Sequence, residues 1–213
     1  VDTDLETLAT ALYVTADDLL KAHPEILPLR PRVGIVPAIT DAEVLTLAAI
    51  APLVGINTER RFLRYARKHL TGMFPYIPGQ SGYNKHLRAL AGTIGWLAAA
   101  LATTSAHTII ADKGYRSKDL EDDLNQAGLT LLRPAARNET PRPGAGLLRP
   151  LRQRIESVFD TLKDQLGLER HNGRTPTAVT ARVAQRILAL TAVIWHNDKT
   201  GNPRLRSLTP YDH

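Results

Sequence analysis

Two acidic residues have the type and setting for metal-assisted phosphodiester chemistry. Asp112 closes a short apolar run over 107–111, and Glu156 lies on an amphipathic segment over 152–167, with Arg152 and Lys163 on nearly the same side. A carboxylate at the end of a strand and another held on a helix can share Mg2+ (or Mn2+), a hard cation that takes oxygen ligands and leaves positions open for phosphate oxygens. Asp112 and Glu156 are thus candidate metal ligands. Arg152 and Lys163 would contact phosphates, Lys163 offsetting charge that develops on a leaving oxygen. Plainer readings stay open beside this one. Asp112 ahead of Lys113-Gly114 has the form of a turn former. Arg152 and Glu156, four residues apart, have the form of a solvated ion pair worth roughly a few tenths of a kcal/mol. Upstream the acids run out: no aspartate occurs between Asp41 and Asp112, where Glu43 and Glu59 are the only carboxylates.

The elements that would position these residues can be read from periodicity and punctuation. On the 148–166 helix, Ile155, Val158, Phe159, Leu162 and Leu166 recur at helical spacing and predict the buried face. At about 100° per residue, Arg152, Glu156 and Lys163 fall within roughly 40° of one another beside that stripe. Glu156 is therefore expected at the rim of the core. Ahead of it, 107–111 reads as a strand, Ser117 as the N-cap of a helix over 118–127, Gly128 as its stop and 129–132 as a second strand. This is a β-α-β unit, and its strands should run parallel. A Pro/Gly-rich loop over 134–148 follows. The last helix opens at Thr175, with Pro176 in the first helical position, and runs to about Trp195.

The first half reads as helical. Thr40-Asp41-Ala42-Glu43 is a capping box before an apolar run, so a helix begins at about 41. A second, over 58–70, carries Arg60, Arg61, Arg64 and Arg67 on one strongly basic face. Two prolines and three glycines over 71–82 make a turn. A third helix, to 102, opens with polar and basic residues that include Lys85. Basic helices joined by a compact turn suggest a helix-turn-helix-like DNA-binding layout, with Arg60, Arg61, Arg64, Arg67 and Lys85 as candidate DNA contacts. Helical hairpins without that role have the same pattern.

Composition bounds the partners. The chain has 213 residues, 27 Lys and Arg against 21 Asp and Glu, and a net charge of +6, which favours a polyanion. Cysteine is absent, which excludes disulfides and thiolate metal sites and fits a reducing cytoplasm. Hydrophobic runs are expected to fall short of the roughly 18 residues that a membrane helix needs, so no membrane partner is expected. The histidines lack zinc-ligand spacing.

Taken together, the stretches IIADKGYRSKDLE, LTLLRPAARNE, RQRIESVFDTLKDQLGLERHNGRTP and RVAQRILALTAVIWHN resemble the DDE-type transposases of bacterial insertion sequences, whose catalytic domain has a ribonuclease-H-like fold. RFLRYARKHLTGMFPYIPGQSGYNKHLRAL resembles the region that precedes that domain. The family pattern around its glutamate is Tyr, two residues, Arg, three residues, Glu, six residues, Lys. Arg152, Glu156 and Lys163 match it, and Arg149 stands at the tyrosine position. The resemblance implies Asp112 as the second metal-binding aspartate, Glu156 as the glutamate, Mg2+ or Mn2+ as cofactor, and double-stranded DNA (element ends and target) as partner. It further implies a cytoplasmic, nucleoid-associated protein and leaves a homodimer open.

The β-rich stretch that should carry the family's first aspartate is missing ahead of ADKGYRS, as after an internal deletion. The expected fold is α/β and predominantly helical, with a helical N-terminal region over 1–103 and a truncated ribonuclease-H-like β-α-β-α unit over 104–213. The expected activity is DNA transposition, by metal-dependent strand cleavage and transfer, impaired by loss of that aspartate. The alternative is a non-catalytic, DNA-binding transposase remnant.

Overall fold

The computed structural model describes residues 3–29, 37–102, 108–204 and 207–211. The chain divides into two compact units, the first formed by Val1–Ala102 with Leu162–His213 and the second by Thr103–Thr161. It is mostly helical, with one small parallel sheet.

The first unit is a helical body of α1 (Thr3–Ala22), α2 (Asp41–Leu53), α3 (Glu59–His69), α4 (Gln80–Ala89), α5 (Ala91–Leu101) and α8 (Pro176–Thr200). Helix α1 forms because Leu5, Leu8, Leu12, Ala16 and Leu20 recur at helical spacing, and all are buried. Helix α2 starts at the expected capping box: Glu43 N–H donates to the Thr40 hydroxyl at 3.2 Å, and Thr40 N–H donates to the Glu43 carboxylate at 2.7 Å. It is buried nearly all round, and it packs on α1 and α8. The predicted helix to 102 is interrupted at Leu90, which lies between α4 and α5. No Gly or Pro marks that interruption. A 2.5 Å hydrogen bond between His86 and Asp41 ties α4 to the start of α2.

Helix α8 opens as predicted, with the Thr175 hydroxyl accepting from Ala178 N–H at 3.3 Å, but it continues past Trp195 to Thr200. At 25 residues it is long and apolar enough to cross a membrane by length and composition, a correction to the expectation that every apolar run is too short. Leu188, Ala192 and Val193 nevertheless belong to the main core with α2 and α5 residues, while Ala189 and Leu190 pack with Leu162 and Leu166. Its polar side chains are also spent inside the unit. Asn197 Nδ2 donates to the Ser207 carbonyl at 2.9 Å, which leaves Asn197 Oδ1 to accept the Tyr211 hydroxyl at 3.2 Å. With that proton spent, His196 Nδ1–H donates to the Tyr211 oxygen at 2.7 Å.

In the second unit β1 (Thr108–Ile110) and β2 (Thr130–Leu132) pair in parallel, Thr108 opposite Thr130 and Ile110 opposite Leu132. His107, expected in the strand, lies outside the described residues. The crossover is α6 (Lys118–Gln126), whose N-cap Ser117 accepts from Leu120 N–H at 3.3 Å. It ends before Gly128, whose φ of 73° is the left-handed geometry that glycine adopts without strain. Helix α6 packs on β2, while all three β1 residues are exposed. Helix α7 (Leu148–Asp160) follows a short 3-10 turn over Ala145–Leu147.

Candidate functional site

Asp112 follows β1, as expected, and is exposed. Its Oδ1 accepts from Lys113 N–H at 2.5 Å, and its carbonyl accepts from Tyr115 N–H at 3.1 Å, so the residue shapes the local turn. Glu156 lies on α7 and accepts from Arg152 Nε at 3.0 Å, both side chains being largely exposed. Both plainer readings of these residues are therefore present as contacts.

The expected setting of Glu156 is corrected. Ile155, Val158 and Phe159, predicted to be buried, are exposed, Phe159 by 50%, and every residue from Arg152 to Asp160 is exposed with them. Only Leu162 and Leu166 of the predicted stripe are buried. The apolar spacing is real, but it reports a face that needs cover, not what covers it. Within the second unit α7 packs chiefly on the Ala145–Leu147 turn, and the two short strands give it no sheet to lie on.

The helical phase that would align Lys163 with Arg152 and Glu156 is lost beyond Asp160. Residues Thr161–Gln165 form a π-helical turn, whose i to i+5 bonding breaks the α-helical phase. Lys163 sits on this turn, 3.7 Å from the Glu169 carboxylate. Asp112 and Glu156 are right in kind for Mg2+, being hard oxygen donors. Among the described residues, however, no group of three or more His, Asp or Glu is gathered to hold a metal ion. The residues present do not make a two-metal cage.

In place of a cage, the second unit holds an ion network. Arg133, at the end of β2, donates to Glu121 at 2.8 Å and to Glu139 at 2.8 Å. Arg142 does the same at 2.9 and 2.8 Å. Hydrogen bonds from Arg133, from Ala136 N–H and from Arg142 hold the Glu139 carboxyl far below the usual carboxylate range. Those from Arg142 and then Arg133 lower that of Glu121. The network ties α6, β2 and the Pro/Gly-rich loop together. Its members lie up to 21 positions apart in sequence, so no local pattern announces it.

The first unit carries the candidate DNA contacts. Phe62, Leu63 and Ala66 bury one side of α3 and leave Arg60, Arg61, Arg64 and Arg67 exposed, with Lys85 exposed on α4. Arg67 is partly occupied, donating to the Pro78 carbonyl at 2.6 Å across the α3–α4 turn.

A second basic group, missed by the sequence reading, stands at the α3–α8 contact. Arg182 pairs with Glu59. Arg186, one turn further along α8, is only 2% exposed and has no carboxylate partner among the described residues. Its guanidinium donates to the Arg182 carbonyl at 3.3 Å, to Gln185 Oε1 at 3.2 Å and to Asn57 Oδ1 at 3.4 Å, while its Nε has no partner among the described residues. Burial pushes the Arg186 pKa down to about 10, so the group remains charged at neutral pH. Gln185 is itself fixed by donating to the Ala48 carbonyl at 2.8 Å. The available signal was two arginines four residues apart in a largely apolar stretch of α8.

Compared with known protein families, residues 78–192, more than half of the chain, match the model described as "Transposase DDE domain". The matched stretch runs from the residue pair before α4 into α8 and includes Asp112, Arg152, Glu156 and Lys163. No curated protein and no solved structure matches the chain significantly.

Proposed function

The chain belongs to the transposase DDE-domain family, and from that membership we propose that it acts on double-stranded DNA as a bacterial insertion-sequence transposase whose catalytic portion lacks its first aspartate. The family match over 78–192 is the observation that carries this reading, because it spans both acidic candidates and the arginine and lysine flanking Glu156. Asp112 and Glu156 are the proposed catalytic carboxylates of a truncated ribonuclease-H-like unit, and Arg152 and Lys163 the proposed phosphate contacts.

Divalent metal ions generally serve the family's strand cleavage and transfer. Two carboxylates without a third do not supply the bridging ligand of a two-metal pair, which supports impaired catalysis. The exposed arginines of α3 and Lys85 support DNA binding through backbone phosphates. The work of the protein is then at the bacterial nucleoid, alone or as a homodimer.

Strand cleavage on labelled element ends in Mn2+ or Mg2+ tests the proposal. The expected result is weak cleavage by the wild type and none by Glu156→Gln. Equal cleavage by both removes the role of Glu156, and full strand transfer by the wild type removes the impairment. One observation favours the second reading, a non-catalytic DNA-binding remnant: Glu156 is engaged locally by Arg152 on an uncovered helix. That reading expects salt-dependent DNA binding without cleavage, and binding that survives alanine at Arg60, Arg61, Arg64, Arg67 and Lys85 rejects it.

A further inference from the structure

We propose that Asn172-Gly173 is a site of self-modification, at which the folded chain converts its own asparagine to aspartate and isoaspartate through a succinimide, with His171 as the base. It is the one Asn-Gly step in the sequence, and it lies in the turn between the short helix Leu168–Arg170 and α8. Glycine is required at its second position. A Cβ on residue 173 would stand 3.0 Å from Val179 N and 3.1 Å from Val179 Cα, so the backbone of α8 excludes any larger residue. The same lack of a side chain leaves the Gly173 nitrogen unhindered as a nucleophile. Asn172 is exposed, and its φ of 56° lies in the left-handed region that asparagine tolerates better than most residues.

What sets this step apart from an ordinary Asn-Gly pair is the group that faces its nitrogen. Gly173 N–H donates to His171 Nδ1 at 2.9 Å. The imidazole therefore accepts at Nδ1 and carries its own proton on Nε2, the tautomer of a base aimed at the attacking atom. The side-chain amide is held as well: Asn172 Nδ2 donates to the Arg170 carbonyl at 3.1 Å and to the Asn57 carbonyl at 3.4 Å. In the first step Gly173 N bonds to Asn172 Cγ while its proton passes to His171 Nδ1. The bond from Cγ to Nδ2 breaks, and that nitrogen takes the proton from His171 and leaves as ammonia. One water then opens the ring, at Cγ to give aspartate or at the backbone carbonyl carbon to give isoaspartate. Either product puts a carboxylate where a donor faced the Arg170 and Asn57 carbonyl oxygens, so the tie between this turn and Asn57 is lost. The new charge also stands in the cleft that Asn172 lines with Arg88 and Arg174.

The site stands on this local geometry and is independent of any action on DNA. The test ages the full chain in dilute buffer at neutral pH and follows the peptide over 171–174 by mass spectrometry, with fragmentation that separates aspartate from isoaspartate. The folded chain is compared with the same chain in urea, where the intrinsic reactivity of the Asn-Gly pair persists and the His171 contact is gone. Conversion at Asn172 is expected to be faster in the folded chain than in urea. His171→Ala is expected to slow the folded chain about tenfold and to leave the rate in urea unchanged. Asn172→Gln, which keeps the amide but lengthens the ring to be closed, is expected not to convert. Asn172→Asp, which carries the charge of the product from the start, is expected to speed hydrogen exchange over 57–59, and exchange as slow as in the wild type would remove the loss of the Asn57 tie. Conversion no faster in the folded chain than in urea would overturn the site, because the fold would then shield Asn172 instead of driving its loss. A folded-chain rate unchanged by His171→Ala would remove the base, and the proposal with it.

Discussion

Single side chains in the first unit are under conflicting demands, and two substitutions expose them. The Tyr83 hydroxyl is buried without a partner among the described residues, and burial pushes its pKa up. Removing an unsatisfied buried hydroxyl relieves a desolvation penalty, so Tyr83→Phe is expected to stabilise the protein by about 1 kcal/mol, read as a higher urea midpoint with unchanged slope. A lower midpoint would mean that the hydroxyl has a partner in solution. Gly167 presents the opposite case. Its φ is 63°, and a Cβ there would stand 2.6 Å from Asn57 Oδ1, the atom that receives Arg186. Gly167→Ala combines left-handed strain with displacement of Asn57, for an expected loss of about 1–2 kcal/mol in the same measurement. Neither residue stood out in the sequence. A tyrosine at a buried helical position and a glycine after a helix have ordinary explanations, and only the partners that fold around them reveal the conflict.

Elements were legible where the signal is local. The capping box at Thr40 and Glu43, the caps at Ser117 and Thr175, and the stop at Gly128 all act within a few residues, and each is formed. The parallel pairing of β1 and β2 follows from a short helix between two apolar runs. What covers an element is a long-range fact. The stripe of α7 was readable, its exposure was not, and the phase break at Thr161–Gln165 displaced the angular argument for Lys163. The ion network of the loop over 134–148 was equally out of reach, although it is expected to govern the response of β2 and α6 to acid. Glu121 and Glu139 have folded pKa values below their unfolded ones. Their stabilisation is therefore complete above the ordinary carboxylate range and is lost as pH falls from about 4 downward through the folded values. Hydrogen exchange of 118–133 is expected to accelerate over that interval. Glu139→Gln should give fast exchange already at neutral pH and flatten the acid response. An acid response as steep as that of the wild type would remove the network as its cause.

At the scale of the whole chain, the two units differ in how much apolar surface they bury, and their stabilities should differ accordingly. The first unit has a continuous core that includes Leu45, Leu47, Phe62, Leu97, Leu188 and Val193, and all six of its α-helices contribute to that core. Thr103–Thr161 contributes Leu131 and Leu132 as its buried apolar residues among those described, and leaves Ile109, Ile110, Ile155, Val158 and Phe159 exposed. A body of about 60 residues is marginal even when well filled, and a two-stranded sheet is not independently stable without good cover. The Arg133 and Arg142 network and the Ser117 cap order this unit without supplying a core. Unfolding of the chain is therefore expected to depart from two-state behaviour. Amides of β1, α6 and β2 should exchange through low-energy openings, while those of α2, α5 and α8 exchange only on global unfolding. In a urea titration followed by hydrogen-exchange mass spectrometry, protection of 108–132 is expected to disappear well before that of 41–53 and 176–200. Coincident loss of protection in all three segments would show that the second unit draws its stability from interactions as strong as those of the helical body, and the account of α7 as an uncovered helix would fall with it.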